Sequence, residues 1–307
     1  MDATADLMNL ITDTFVGALQ TGLATLSEYS LLILAAFAFI AFFTQLWPLV
    51  TSGSGMVAEA LAATLFAMVK FGVLYWILLN LAEMSTAALD SFLFWGLAPA
   101  QSDVSIETFR QPGEIVRLGF ELAKPLLDFS TSFWSKIRGA FLLQEAGYQV
   151  AHGLVVLSFA AVALHLMMVI IEYYMAVMCA AVLIPWGALS TTAFFTEFSI
   201  GWITGGLVRV LVTTAMVGIA RPLFSNLIIP VTPGGDPTIY GGFMTVVISL
   251  VFAFLSWVVP GRAAHIAGRG VSLALHAGTV LSAAAGAGRG VLMVTSAVRG
   301  VSQMMRR

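Results

Sequence analysis

The sequence predicts an all-α, polytopic integral membrane protein with about five transmembrane helices, six being the alternative. Three observations carry that reading. Hydrophobic residues make up 59% of the chain and charged residues only 10%, against roughly 25% charged in soluble domains. The run Val150–Leu189 holds a single formal charge, Glu172. Further apolar runs come close to or exceed the ~20 residues with which a helix crosses a ~30 Å hydrocarbon core. A mean hydropathy of +0.95 agrees. No second, soluble globular domain is predicted, because lipid takes the place of water around the spans.

Residues 1–28 read as a periplasmic amphipathic helix. Leu7, Leu10, Ile11, Phe15, Ala18, Leu19, Leu23 and Leu26 recur at helical spacing, with Asp6, Asn9, Asp13 and Gln20 between them. The segment is polar for a span, so it should lie on a membrane surface or against a partner. Its first charges, Asp2, Asp6 and Asp13, are acidic, where a cleavable signal peptide is basic. Residues 29–82 form a first transmembrane hairpin. One span covers about Ser30–Val50 and closes near an interface at Trp47-Pro48. After the turn TSGSG at 51–55, a second covers Val57–Leu81 with Lys70 near its middle. A charge there costs ~2.5–3.5 kcal/mol on insertion scales.

Residues 83–149 form the long polar region, with eight acidic and five basic residues. It is expected to be a hydrated periplasmic loop containing one helix. Glu107, Glu114, Glu121 and Asp128 recur every seven residues, and Arg110, Arg117 and Lys124 follow the first three by three. Residues three apart are neighbours on a helix, so each pair can meet. Phe109, Val116, Phe120 and Ala123 give the apolar side. Pro112 and Pro125 confine the continuous helix to about Gly113–Lys124. A second apolar cluster, Phe129–Phe141 with Phe133 and Trp134, could dip into the interface.

Residues 150–259 form the transmembrane bundle. Val150–Leu189 is long enough for two crossings, or for one with an extension. Glu172 and Tyr173-Tyr174 at its midpoint suggest a polar turn, or a point where the helix leaves the bilayer. Pro185-Trp186 suggests a kink and an interfacial anchor. Phe198–Ala220 is a span with Arg209 at its centre and the small-residue spacing Gly201-x-x-x-Gly205, which permits close helix contact. A loop rich in Pro and Gly follows at Arg221–Tyr240. Gly241–Val259 is the last span, ended by Pro260-Gly261.

Residues 260–307 form a Gly/Ala-rich tail with no Asp or Glu. Arg262, Arg269, Arg289, Arg299, Arg306 and Arg307 are six of the chain's fourteen basic residues. Such a tail is cytoplasmic by the positive-inside rule. Residues 1–69 contain no Lys or Arg, so nothing basic holds the N-terminus inside. An outside N-terminus and an inside C-terminus require an odd number of crossings, which favours five. Gly286, Gly288 and Gly290 around Arg289 lack the Lys-Ser/Thr ending of a phosphate loop.

No catalytic constellation stands out. His152, His165, His265 and His276 are not in HExxH spacing and no acidic cluster accompanies them. Cys179 is the one cysteine, which excludes an intrachain disulfide. No catalytic residue, metal ligand or cofactor site is expected, and no Walker motif supplies energy. Lys70, Glu172 and Arg209 are the informative charges. Such residues face a bundle interior, snorkel to lipid phosphates or line a watery conduit. Lys70 and Arg209 repel one another and Glu172 is the only acid within the predicted spans apart from Glu59, so at least one cation is expected to face a lumen, a lipid phosphate or another subunit.

The layout resembles a known family. An acidic amphipathic start (DLMNLITDTFVGAL) precedes paired spans and a long polar loop. A dense apolar run follows (VVLSFAAVALHLMMVIIEYYMAVMCAAVLIPWGAL), then FSIGWITGGLVR, and a Gly/Ala/Arg-rich tail closes the chain. This is similar to TrbL, the VirB-six-like polytopic component of conjugative type IV secretion systems. The resemblance implies a non-enzymatic channel or scaffold of the bacterial inner membrane, supporting DNA–protein translocation and pilus assembly. It implies a homo-oligomeric ring, five-fold by expectation. The implied partners are pilin, other inner-membrane and periplasmic components, separate secretion ATPases, membrane lipids and the translocating DNA–protein substrate. The rivals are a small-solute or ion transporter, disfavoured by the lack of an internal repeat, and an intramembrane enzyme, disfavoured by the missing nucleophile set.

Overall fold

The computed structural model describes residues 2–52, 57–98, 109–128, 141–228 and 239–269. Six α-helices account for most of them. They are α1 (Asp2–Ser52), α2 (Val57–Leu97), α3 (Pro112–Asp128), α4 (Phe141–Leu183), α5 (Ala193–Ile228) and α6 (Ile239–Arg269). A 3-10 turn, Ile184–Ala188, follows α4. Five stretches are long and apolar enough to cross a membrane, Ala5–Trp47, Ala63–Leu97, Ala146–Ala188, Ala193–Ala220 and Phe243–Ala267. The all-α reading and the count of five therefore hold among the described residues.

The helix α4 is the axis of the bundle. It touches each of the other five helices. Val155, Phe159, Ala163, Leu166, Tyr173, Val177 and Ala180 are fully enclosed along its length, and they fall on more than one face because neighbours cover it nearly all round. Glu172 is not a turn. The helix runs for 43 residues through it, about 64 Å at 1.5 Å per residue, so the run crosses once and protrudes. The sequence explains this, since the residues around Glu172 include no Gly or Pro to break the helix. The adjacent Tyr173 is buried, and its hydroxyl donates to the Ser85 carbonyl of α2 at 2.8 Å.

The break comes at Pro185. Proline lacks the N–H for the next helical bond and pushes the preceding residue out of α geometry. The α-helix gives way to the 3-10 turn there, and the Thr196 hydroxyl of α5 lies 3.1 Å from the carbonyls of both Leu183 and Ile184. Trp186, expected as an interfacial anchor, packs edge-on against Phe37 of α1 at 5.1 Å and Phe195 of α5 at 5.6 Å. It ties the turn to two helices.

Several boundaries differ from the sequence reading. The N-terminal segment and the first span are one 51-residue helix, which continues past Trp47-Pro48. In its N-terminal part Ala5, Thr12 and Leu23 are buried, so this part packs on the protein's own α3 and α4. The second span does not stop at Leu81 but runs on to Leu97. Residues 221–228, read as the start of a loop, are the last two turns of α5, with Pro222 inside the helix. The last span does not stop at Pro260 but continues to Arg269, as prolines in membrane helices can when the freed carbonyl finds another partner. Residues 129–140 of the second apolar cluster, residues 229–238 of the Pro- and Gly-rich loop and the tail beyond Arg269 lie outside the described residues.

The polar region is not a free-standing loop, because α3 is folded back against the bundle. Its apolar side, with Phe109 just before it and Ile115, Val116 and Ala123 within it, is almost wholly buried, against α1 and α4. The helix starts at Pro112, where proline's missing N–H costs nothing, and its backbone continues through Pro125. The Gly113 N–H, an orphan of the first turn, donates to Asn9 Oδ1 of α1 at 2.8 Å. Gly119 lies on Phe159 so closely that a Cβ would sit 2.5 Å from the Phe159 Cβ. The outer side carries the expected ladder in part, since Arg117 bridges Glu114 at 3.7 Å and Glu121 at 3.9 Å. Arg110 pairs with Asp90 on α2, while Glu107, its expected partner, lies outside the described residues.

Candidate functional site

The three charges singled out from the sequence converge on α5. Arg209 forms an ion pair with Glu172 of α4, its Nη1 donating to Oε2. The side chains are 27% and 44% exposed, so the pair sits at the edge of the packed interior. Arg209 Nε is enclosed and has no acceptor among the described residues. Two helical turns before Glu172, His165 is buried at 8% exposure and its ring packs on Trp257 of α6 at 4.9 Å. Neither of its ring nitrogens has a partner among the described residues. The centre of the α4, α5 and α6 packing is thus polar.

Lys70 of α2 is half-buried beside a small cavity of about 160 Å³, which Gly187, Thr196 and Glu197 also line. Glu197 is the acid that shares this cavity with it. The sequence reading missed this residue because it began the span at Phe198, whereas α5 starts at Ala193. Extending the helix by one turn would have found it. Glu197, Gly201, Gly205 and Arg209 then recur at every fourth position, a single stripe of α5. Glu172 serves Arg209, whereas Lys70 is in none of the ion pairs among the described residues and shares its cavity with Glu197.

That stripe lines a groove of about 540 Å³ between α4, α5 and α6. Gly201 and Gly205 are buried in it, and their missing side chains leave the space. Phe194, Phe198 and Trp202, again four apart, form one wall. Gly261, Ala264 and His265 of α6 form the other, and Glu172 and Arg209 close the far end. Arg262 is exposed on α6, one turn before His265. The side chain of Arg269 and the remaining four arginines of the tail lie outside the described residues.

The chemistry available here is electrostatic and steric. Among the described residues no three His, Cys, Asp or Glu side chains are grouped to hold a metal ion. Cys179 is free and half-buried. What the arrangement can do is carry compensated charge within a membrane-embedded bundle and present a groove with charged ends.

The sequence pattern of the TrbL/VirB6 plasmid conjugal transfer proteins matches residues 45–259, from the end of α1 to the last third of α6 and well over half of the chain. The chain belongs to the TrbL/VirB6 family. Every charge and both glycines of the groove's α5 stripe lie inside the matched range, as do Lys70, Glu172 and α3; the first part of α1 and the basic tail lie outside it. No curated protein matches the chain. As a TrbL/VirB6 protein with five helices among the described residues long and apolar enough to cross a membrane, it is a multi-pass membrane component of conjugal transfer.

Proposed function

We propose that this protein is a non-enzymatic channel or scaffold component of a conjugative type IV secretion machine in the bacterial inner membrane. In this reading it supports translocation of a DNA–protein substrate and pilus assembly, and it works as a homo-oligomeric ring with pilin, envelope components and separate ATPases as partners. The family match carries the reading. The compensated intramembrane charges support a structural role over a proton relay, because Arg209 is held by Glu172 and does not stand alone.

The orientation proposed is N-terminus in the periplasm and C-terminus in the cytoplasm. It rests on the arginine-rich, acid-free tail and on the five crossings, which put the two ends on opposite sides. Reporter fusions after Arg307 and within the 99–108 segment test it. The expected result is cytoplasmic signal from the first and periplasmic signal from the second. Cytoplasmic signal from both would overturn the orientation. Purification of the tagged protein from donor membranes in mild detergent tests the machine itself. An oligomer that brings envelope components with it is expected, and a bare monomer would contradict the reading.

A further inference from the structure

The groove between α4, α5 and α6 is walled unevenly. On α5 it runs from Phe194 to Arg209, about 22 Å at 1.5 Å per residue. On α6 it takes in only Gly261, Ala264 and His265, about 6 Å. Two ring contacts fix where these lie. Phe159 of α4 meets Phe252 at 6.1 Å and His165 meets Trp257 at 4.9 Å. The helices α4 and α6 therefore run in the same direction, and two turns further on Glu172 is level with Ala264. Glu172 pairs with Arg209 and Leu183 meets Thr196, so α5 runs the opposite way. The α6 wall thus stands at the Arg209 end of the groove. The described part of α6 ends at Arg269, only about 8 Å beyond Ala264. Roughly 15 Å of the α5 face, from near Gly205 to Phe194, extends past it. Phe194 and Phe198 are 56% and 66% exposed there, and Gly201 forms the floor.

The axis of α6 points along this open stretch, so the chain that leaves Arg269 starts at its edge. Residues 270–288 carry no charge. Gly270, Ala274, Gly278 and Ser282 recur at every fourth position, and on a helix they would form one side without bulk. Gly201 and Gly205 have the same spacing on α5. Small residues facing small residues let two helices approach closely. Leu273 and Leu281 follow Gly270 and Gly278 by three, beside that side. As a helix, Gly270 to Ser282 covers about 18 Å, enough for the open stretch. Attachment at the groove's rim gives this segment a local concentration on the order of millimolar, which a second copy of the chain lacks.

We propose that residues 270–282 of the tail dock on the first turns of α5, with their small side over Gly201 and their leucines against Phe194 and Phe198, and close the open part of the groove. The basic part of the tail, from Arg289 on, then starts from a fixed place beside α5. The docking follows from helix register and chain path, so it does not depend on the secretion reading.

Disulfide trapping in the full-length protein tests it. Cys179 is replaced by Ala, the exposed Phe198 by Cys, and single cysteines are placed in turn along residues 271–281. A disulfide forms where the two Cβ atoms come within about 3.5–4.5 Å. Oxidation in native membranes should link Phe198→Cys, within one protomer, to tail positions that recur every three to four residues. Adding Ala274→Leu and Gly278→Leu to the best-linked pair should lower the yield at least about tenfold. Links only between protomers would overturn the proposal and assign the face to a second copy. No link at any position would overturn it and leave the face to lipid. Equal yield along the whole tail segment, or a yield unchanged by the two leucines, would also overturn it. The same scan from Phe194→Cys decides the matter if Phe198→Cys does not accumulate.

Discussion

Replacing Glu172 by Leu is expected to destabilise the purified protein by about 1–3 kcal/mol, and replacing Arg209 by Leu in the same chain to recover most of the loss. The single change leaves Arg209 in the bundle without its carboxylate, and an uncompensated cation at this depth costs up to ~2.5–3.5 kcal/mol. The pair is partly open, at 27% and 44% exposure, which lowers the figure. Removing both partners removes the desolvation problem with the attraction, and such double replacements are often near neutral. Arg209→Leu alone should cost less than Glu172→Leu, because the remaining carboxylate can take up a proton and a guanidinium cannot give one up. Thermal melts of all four proteins in one detergent give the coupling energy, expected at about 1–2 kcal/mol. Additive losses would mean that the ion pair does not hold α4 to α5.

Gly119→Leu is expected to be the other severe change. Its Cβ would lie 2.5 Å from the Phe159 Cβ, and Phe159 is fully buried on the central helix. Neither backbone can give way cheaply, because α3 is also fixed by Gly113–Asn9 and flanked by Arg110–Asp90. Overpacking of this kind costs typically ~1–3 kcal/mol, enough to lift α3 off the bundle. Limited proteolysis should then cut within 109–128 many times faster than in the wild type. An unchanged cleavage rate would show that α3 does not pack on α4 through Gly119.

The spans were legible because lipid imposes a simple demand. Every crossing must be apolar for about 20 residues, and five such runs are plain in this chain. Their true lengths were not legible. Glu83 and Asp90 look like loop residues, yet α2 carries them to Leu97. An exposed carboxylate on a helix outside the hydrocarbon costs little, and Asp90 finds Arg110. Pro260 looks like a stop, but the helix passes through it. At Pro185 the same residue type does end the α-helix, and there the Thr196 hydroxyl of α5 lies 3.1 Å from the last-turn carbonyls of Leu183 and Ile184.

The site was legible in halves. Arg209, Glu172 and Lys70 stood out because a charge among apolar residues is expensive, but their pairing depends on how α2, α4 and α5 rotate against one another. Glu197 escaped because it sits at the edge of an apolar run, where a charge is cheap. The groove follows from four positions at fourfold spacing, Glu197, Gly201, Gly205 and Arg209. In the sequence this pattern reads equally as a close-packing surface. Which of the two it is depends on whether α6 covers the glycines, and α6 stands far enough off to leave a slot.

Conjugal transfer by a donor lacking this protein tests the central claim most directly. Mating frequency should fall to background on deletion and return when the full-length protein is supplied in trans, with growth of the donor unaffected. Transfer at the undiminished frequency from the deletion donor would contradict the assignment.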